Sequence, residues 1–185
     1  MNTLLVIDMQ NAWLNRETPR HDKPGLIERI NLAASAMRNG GGTVVFIRHC
    51  DRDCLPGSAD WEIDAGLQTL PDDAMFDKSA CDSFADTFLL THLQESGSKH
   101  LYICGLATEF CVDTTLRAAL SLGFNVTALA DAHTTGNRPH LSATQIIQHH
   151  NWIWANMAAP QGRSLRVCST AQTLADLKTC QEIPA

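Results

Sequence analysis

Apolar residues in this chain come in short blocks, each closed by a polar or glycine-rich break. Leu4, Leu5, Val6 and Ile7 run unbroken until Asp8. A run with no polar face predicts a strand covered on both sides, as in a sheet sandwiched between helices. Comparable blocks predict strands over residues 43–47, 74–76, 101–106, 125–130 and 165–167. Between them the spacing changes to that of a helix. Leu26, Ile27, Ile30, Ala33, Ala34 and Met37 share one face of a helix that opens at Pro24 and ends at Gly40-Gly41-Gly42. Asp82 predicts the cap of a second helix carrying Phe84, Phe88, Leu89 and Leu93 and ending at Gly97. Thr108 predicts the cap of a third, which stops at Gly123. Pro139 suits the first turn of a fourth, over residues 140–157, and a last helix covers 170–179.

Alternating strands and helices predict one α/β domain over residues 1–185. Its expected architecture is three-layer α/β/α around a six-stranded, mostly parallel, Rossmann-like sheet with right-handed crossovers. In such sheets the site lies beyond the carboxyl ends of the strands, where strand order reverses. Asp8, Arg48, Lys78, the turn from Gly105 to Cys111, and His133 all fall at or just past predicted carboxyl ends. Cys111 is the third position after the Thr108 cap, where the positive end of a helix is expected to lower a thiol's pKa. A thiolate beside a carboxylate and an ammonium is a nucleophile with its supporting charges. Asp8 would take the thiol proton and return it to a leaving amine, Lys78 would hold the charges in place, and backbone amides of the turn would face a developing oxyanion.

Other chemistries fit less well. The glycine triplet precedes a strand, whereas a dinucleotide-binding fingerprint follows one and opens a helix. The long irregular stretch over residues 48–73 groups His49, Asp51 and Cys54, but the spacing matches no zinc pattern with a second ligand pair, so no metal and no cofactor is expected. A net charge of -6 with no basic stripe argues against nucleic acid. No apolar run approaches the roughly 20 residues of a membrane span. A strand begins almost at the first residue, which leaves no room for an export signal. Seven cysteines, an odd number, in a chain large enough to need no staples point to a reduced, cytoplasmic protein.

Three segments together resemble the isochorismatase-like cysteine hydrolases. Leu4-Leu5-Val6-Ile7-Asp8-Met9-Gln10 is similar to the family's first strand, and Lys78-Ser79-Ala80-Cys81-Asp82-Ser83-Phe84 with Thr87 and Leu89 to its lysine segment. Gly105-Leu106-Ala107-Thr108-Glu109-Phe110-Cys111-Val112 with Arg117-Ala118, Gly123 and Asp131-Ala132 is similar to its nucleophile segment. The resemblance spans nearly the whole chain. It implies an Asp8–Lys78–Cys111 triad, oxyanion donors at the N–H groups of Ala107 and Cys111, and a cis peptide bond between Leu106 and Ala107. True isochorismatases lack the nucleophilic cysteine, which this chain has, so the implied reaction is C–N hydrolysis of a small amide or ureido substrate through a thioester. Nicotinamidases carry an acid and histidines for a metal after the second strand, where this chain reads His49-Cys50-Asp51-Arg52-Asp53-Cys54. The similarity is therefore greatest to metal-free members. Trp13, Leu14, Trp61, Phe110 and His133 are the expected pocket walls, with Arg48 a candidate carboxylate anchor.

Two other readings compete: a metal-assisted, nicotinamidase-like amidase using His49 and Asp51, and a binding module that keeps the fold without turnover. A redox role for Cys111 lacks an obvious resolving partner, since Cys104 falls inside a strand. His149 and His150 are adjacent on a helix and so diverge, which is poor ligand geometry. Trp152, Ile153, Trp154 and Met157 make that helix apolar over a wide arc, consistent with a homo-oligomer, dimer or tetramer.

Overall fold

The computed structural model describes residues 1–179; residues 180–185 of the expected domain lie outside the described residues. The apolar run at the N-terminus forms β1 (Asn2–Ile7), flanked by β2 (Thr43–His49) and β4 (His100–Leu106). β3 (Ala74–Lys78) extends the sheet beyond β2, while β5 (Asn125–Thr134) and β6 (Leu165–Cys168) extend it beyond β4. The order is β3-β2-β1-β4-β5-β6 and every pairing is parallel. The chain thus builds outward from β1 in one direction, then returns to β1's other edge and builds the opposite way. That reversal sits between β1 and β4.

Alternation along β1 feeds two cores. Leu4 and Val6 pack with Leu26, Ile30, Ala34 and Met37 of α2 (Lys23–Asn39) and Leu177 of α6 (Thr170–Thr179). Leu5 and Ile7 face the other layer, against Leu89 and Leu93 of α3 (Leu89–Glu95), Leu116 and Ala119 of α4 (Asp113–Ser121), and Trp154 of α5 (Ala143–Asn156). All four β1 side chains are fully buried, each worth about 1.5–3 kcal/mol of transfer free energy. A short helix, α1 (Asn11–Leu14), follows β1 directly.

Three helix starts differ from expectation, two of them because a side chain is engaged elsewhere. Asp82 caps no helix: its carboxylate accepts from the Phe84 N–H at 2.8 Å, closing an Asx turn. Ser83 is tied to the Thr115 hydroxyl at 2.8 Å, Asp86 is left-handed, and Phe88 is 80% exposed, so the helix begins only at Leu89. Pro139 lies outside α5, whose start is a capping box between Ser142 and Gln145. Thr108 does not cap either. Its hydroxyl is 2.9 Å from His133 Nδ1, and residues Thr108–Val112 form a π-helical turn that leads into α4. Strands β2, β3 and β5 run past their apolar blocks, because pairing continues after the sequence turns polar; His49 and Lys78 are partners in register.

Candidate active site

β1 ends in a kink. Asp8 has φ 53°, a left-handed conformation rare outside glycine, while its N–H still donates to the Ile47 carbonyl at 2.9 Å. Gln10 fixes the exit, donating from Nε2 to the carbonyls of His49 and Trp61, both at 2.9 Å, and accepting from the His49 N–H at 2.7 Å. On β1's other edge, Gly105 has φ 114°, and a Cβ there would overlap the Ile7 carbonyl oxygen. Only glycine lets β4 come this close to β1 and deliver the turn that carries Cys111. The peptide bond between Leu106 and Ala107 is cis, as the resemblance implies.

Lys78, at the end of β3, reaches over β2 to the centre of this cleft. Its Nζ donates to Asp8 Oδ2 at 2.9 Å, to the Ala80 carbonyl at 2.9 Å and to Cys111 Sγ at 3.2 Å, and lies 3.5 Å from His49 Nδ1. The expected acid, amine and sulfur are therefore in one place, with the Lys78 and Asp8 side chains only 0% and 4% exposed.

Burial dominates the electrostatics. It pushes the Asp8 carboxyl above its ordinary pKa although the Lys78 ammonium pulls the other way. Burial would lower the Lys78 ammonium, but the charges of Asp8 and Cys111 reverse this and raise it. The Cys111 thiol is raised strongly, first by burial and then by Asp8, against the pull of Lys78. This corrects the expected depressed thiol: with Asp8 this close, the helix-terminal field does not decide the outcome. Cys111 rests protonated beside a carboxylate made more basic by burial, whose Oδ1 has no hydrogen-bond partner among the described residues.

Asp8 and Cys111 open onto a cavity of about 310 Å³, with Lys78 buried behind them. Trp13 and Phe110 line it as expected, together with Leu106 and Ala107. Three other expected walls are elsewhere. Leu14 is turned into the core beside α2. The Trp61 ring lies beneath the Arg48 guanidinium, 3.6 Å from ring centroid to Cζ. His133 is buried behind the turn, between Thr108 and Asn151 Oδ1 at 3.0 Å, and burial pushes its pKa down to about 4. Arg48 pairs with Asp77 at 2.8 Å and anchors nothing in the cavity. In their stead the cavity wall includes Arg16, Arg20, His49, Cys81 and Arg138. His49 had a sequence signal, the end of a strand beside β1. The arginines come from loops far apart in sequence, joined by an antiparallel bridge between Arg20 and Gly136 that no local pattern announces.

A metal finds poor accommodation. His49, Asp51 and Cys54 do not converge: His49 Nε2 faces Asp51 at 3.5 Å, and Cys54 Sγ receives a contact from Gln10 at 3.7 Å. The only His, Cys, Asp or Glu triple among the described residues with ligand atoms within 4.8 Å of one another is Asp8, His49 and Cys111. Lys78 Nζ contacts all three, so an ammonium already holds the centre that a cation would need.

A buried thiol, carboxylate and ammonium at the switch point of a parallel sheet define the class of site. The model of the isochorismatase domain matches residues 2–165, and the chain belongs to the isochorismatase family. It is 32% identical over 145 residues to a streptothricin hydrolase of Streptomyces noursei, covering 75% of this chain and 51% of that one. The chain therefore spans about half the length of that relative. It is 31% identical over 159 residues to nicotinamidase 3 of Arabidopsis thaliana, covering 76% of this chain and 77% of that one. A crystal structure of an isochorismatase family protein superimposes with a TM-score of 0.83 at 30% identity, covering 91% of this chain and 98% of that one. No helix among the described residues is long and apolar enough to cross a membrane.

Proposed function

We propose that this protein is a cofactor-free cysteine hydrolase that cleaves the C–N bond of a small amide or ureido substrate through a thioester on Cys111. The observation that carries this reading is Lys78 Nζ, 2.9 Å from Asp8 and 3.2 Å from Cys111, buried behind the cavity that those two residues line. As sulfur attacks the carbonyl carbon, the thiol proton passes to the free Oδ1 of Asp8, and Lys78 holds the sulfur and the carboxylate in place. The N–H groups of Ala107 and Cys111 serve the oxyanion, a role worth about 3 kcal/mol per donor in comparable sites. Asp8 then gives the proton to the departing nitrogen as the C–N bond breaks. Water, deprotonated by Asp8, attacks the thioester; the S–C bond breaks, the sulfur recovers the proton, and the acid leaves. A resting thiol suits this scheme, because the nucleophile forms only when a carbonyl is present to accept it. The amide-hydrolase names of relatives such as nicotinamidase 3 point the same way.

A panel of small amides and ureido acids tests the proposal against wild type and Cys111→Ala. Turnover by wild type, an acyl adduct on Cys111 in quenched mass spectra, and at least about a thousandfold loss in the variant are expected. Equal turnover by Cys111→Ala removes the thioester. No turnover of any amide by the wild type favours the binding-module alternative. We place the protein in the cytoplasm, in keeping with six free cysteines among the described residues. A homodimer or tetramer fits the 64% exposure of Trp152 on α5, and sedimentation velocity showing only monomer would reject it.

A further inference from the structure

The cavity is electropositive in a chain whose net charge is -6. Arg16, Arg20 and Arg138 all line it, and the acids nearby do not balance them. Asp8 is taken by Lys78, and Glu109 is taken by Arg138 through Nε at 2.7 Å and a contact from Nη2. Arg16 and Arg20 make no ion pair among the described residues. Arg20 donates from Nε to the Trp13 carbonyl at 2.6 Å, which fixes its direction without neutralising it. Arg16 lies 4.4 Å from the Trp13 ring centroid, and Arg138 lies 5.3 Å from that of Phe110, so the aromatic walls hold the cations over the opening. Burial, with Arg138 and Arg16 close by, drives the Arg20 pKa down against the smaller opposing pull of Glu109. The Trp13 indole N–H, in the same wall, is buried and has no acceptor among the described residues. Two unpaired guanidinium groups and an orphan donor around one cavity lack a single thing, an anion.

We infer that the substrate carries a carboxylate, held by Arg16, Arg20 and Arg138 at the cavity wall while its amide or ureido carbonyl lies against Cys111. This inference rests on the hydrolase reading of the same site for its chemistry but not for its test. Guanidinium groups match a carboxylate in planar, paired hydrogen bonds, and a cavity of about 310 Å³ admits only a small acid beside the reacting group. The uncommitted Arg16 and Arg20 would carry the recognition, and Arg138 would lend its second face while staying paired to Glu109.

Alkylation of Cys111 supplies a readout that needs no turnover. Iodoacetate and iodoacetamide transfer nearly the same group to sulfur with loss of iodide, and they differ chiefly in the carboxylate. Rates at Cys111 are followed by peptide mass spectrometry, which separates it from Cys81 in the same cavity. The iodoacetate-to-iodoacetamide ratio in the native protein is expected to exceed that in urea-unfolded protein by at least about tenfold, the scale of one hydrogen bond to a charged group. Arg20→Gln and Arg16→Gln should each lower the native ratio, and rising potassium chloride should lower it further. A native ratio no higher than the unfolded one overturns the inference, as does a ratio that survives the double variant. With substrates, succinamate should be preferred over succinamide. Should no amide or ureido acid of the panel be hydrolysed while the alkylation ratio stays high, the hydrolase reading fails and the anion site stands.

Discussion

Replacing Asp8 by Asn should move two measurements at Cys111 in opposite directions. The substitution keeps the shape of a side chain that is almost wholly buried but removes the negative charge that raises the thiol pKa, leaving Lys78 Nζ 3.2 Å from the sulfur. The reactive atoms of Asp8 and Cys111 lie within 4.8 Å. At that separation a charge pair in an effective dielectric of 20 interacts by about 3 kcal/mol, equivalent to about two pK units. A thiol lowered by that amount is about a hundredfold more ionised near neutral pH. Lost intrinsic nucleophilicity takes back about a factor of ten, so iodoacetamide should alkylate Cys111 about ten times faster than in wild type. Hydrolysis should fall by about a hundred- to ten-thousandfold, because the proton acceptor is gone. The assay is paired: second-order alkylation rates by mass spectrometry and kcat/KM on whichever amide the panel identifies, with circular dichroism to establish that the variant is folded. Lys78 keeps the Ala80 carbonyl at 2.9 Å, which limits the cost of breaking the ion pair. Slower alkylation together with slower hydrolysis would mean that Asp8 merely positions the sulfur. Unchanged hydrolysis would mean that another group carries the proton.

Other outcomes follow from the same coordinates. Gly105→Ala should cost at least about 3 kcal/mol, or prevent folding, because its Cβ meets the Ile7 carbonyl and its φ is 114°; a denaturation midpoint equal to wild type would refute the close approach of β4 to β1. His133, with Thr108, Asn151, His150, Asp131 and Trp154 about it, has its folded-state pKa lowered to about 4, so between pH 6.5 and 4 the unfolded chain binds the proton and the folded one does not. Stability attributable to this residue should therefore fall by about 3 kcal/mol as pH drops through that window, and His133→Gln should flatten the dependence in urea titrations; an unchanged slope would contradict it. Arg48→Ala should leave kcat/KM within about twofold and lower stability by about 1–2 kcal/mol, the sum of an exposed ion pair with Asp77 and the Trp61 contact. A large loss of turnover there would put Arg48 back among substrate anchors.

How much of this was legible in the sequence depended on whether local pattern or distant contact determined it. β1, β2 and β4 are buried on both faces, so their composition alone marked them, and the chemistry at their ends could be placed. Asp8, Lys78 and Cys111 were found in this way because each sits just past an apolar block or a glycine turn. Thr108 was misread because a hydroxyl that could cap a helix is equally able to bond a buried imidazole, and only the tertiary position of His133 decides between them. Phe84 and Phe88 imitated a helical stripe, although Phe88 is exposed and side-chain bonds at Asp82 and Ser83 hold the chain open. Trp61 and Arg48 satisfy each other, so neither reaches the cavity. The thiol's raised pKa was beyond reach for a similar reason: a helix-terminal field is local, whereas the burial of Asp8 and Cys111 is a property of the assembled sheet.

The seam between β1 and β4 divides the chemistry. Asp8 and Lys78 belong to the wing synthesised first, and Cys111 to the wing synthesised after it. A ribosome-bound fragment that ends before β4 thus holds Asp8 and Lys78 without Cys111, so the three groups come together only once the second wing has been zipped along the first.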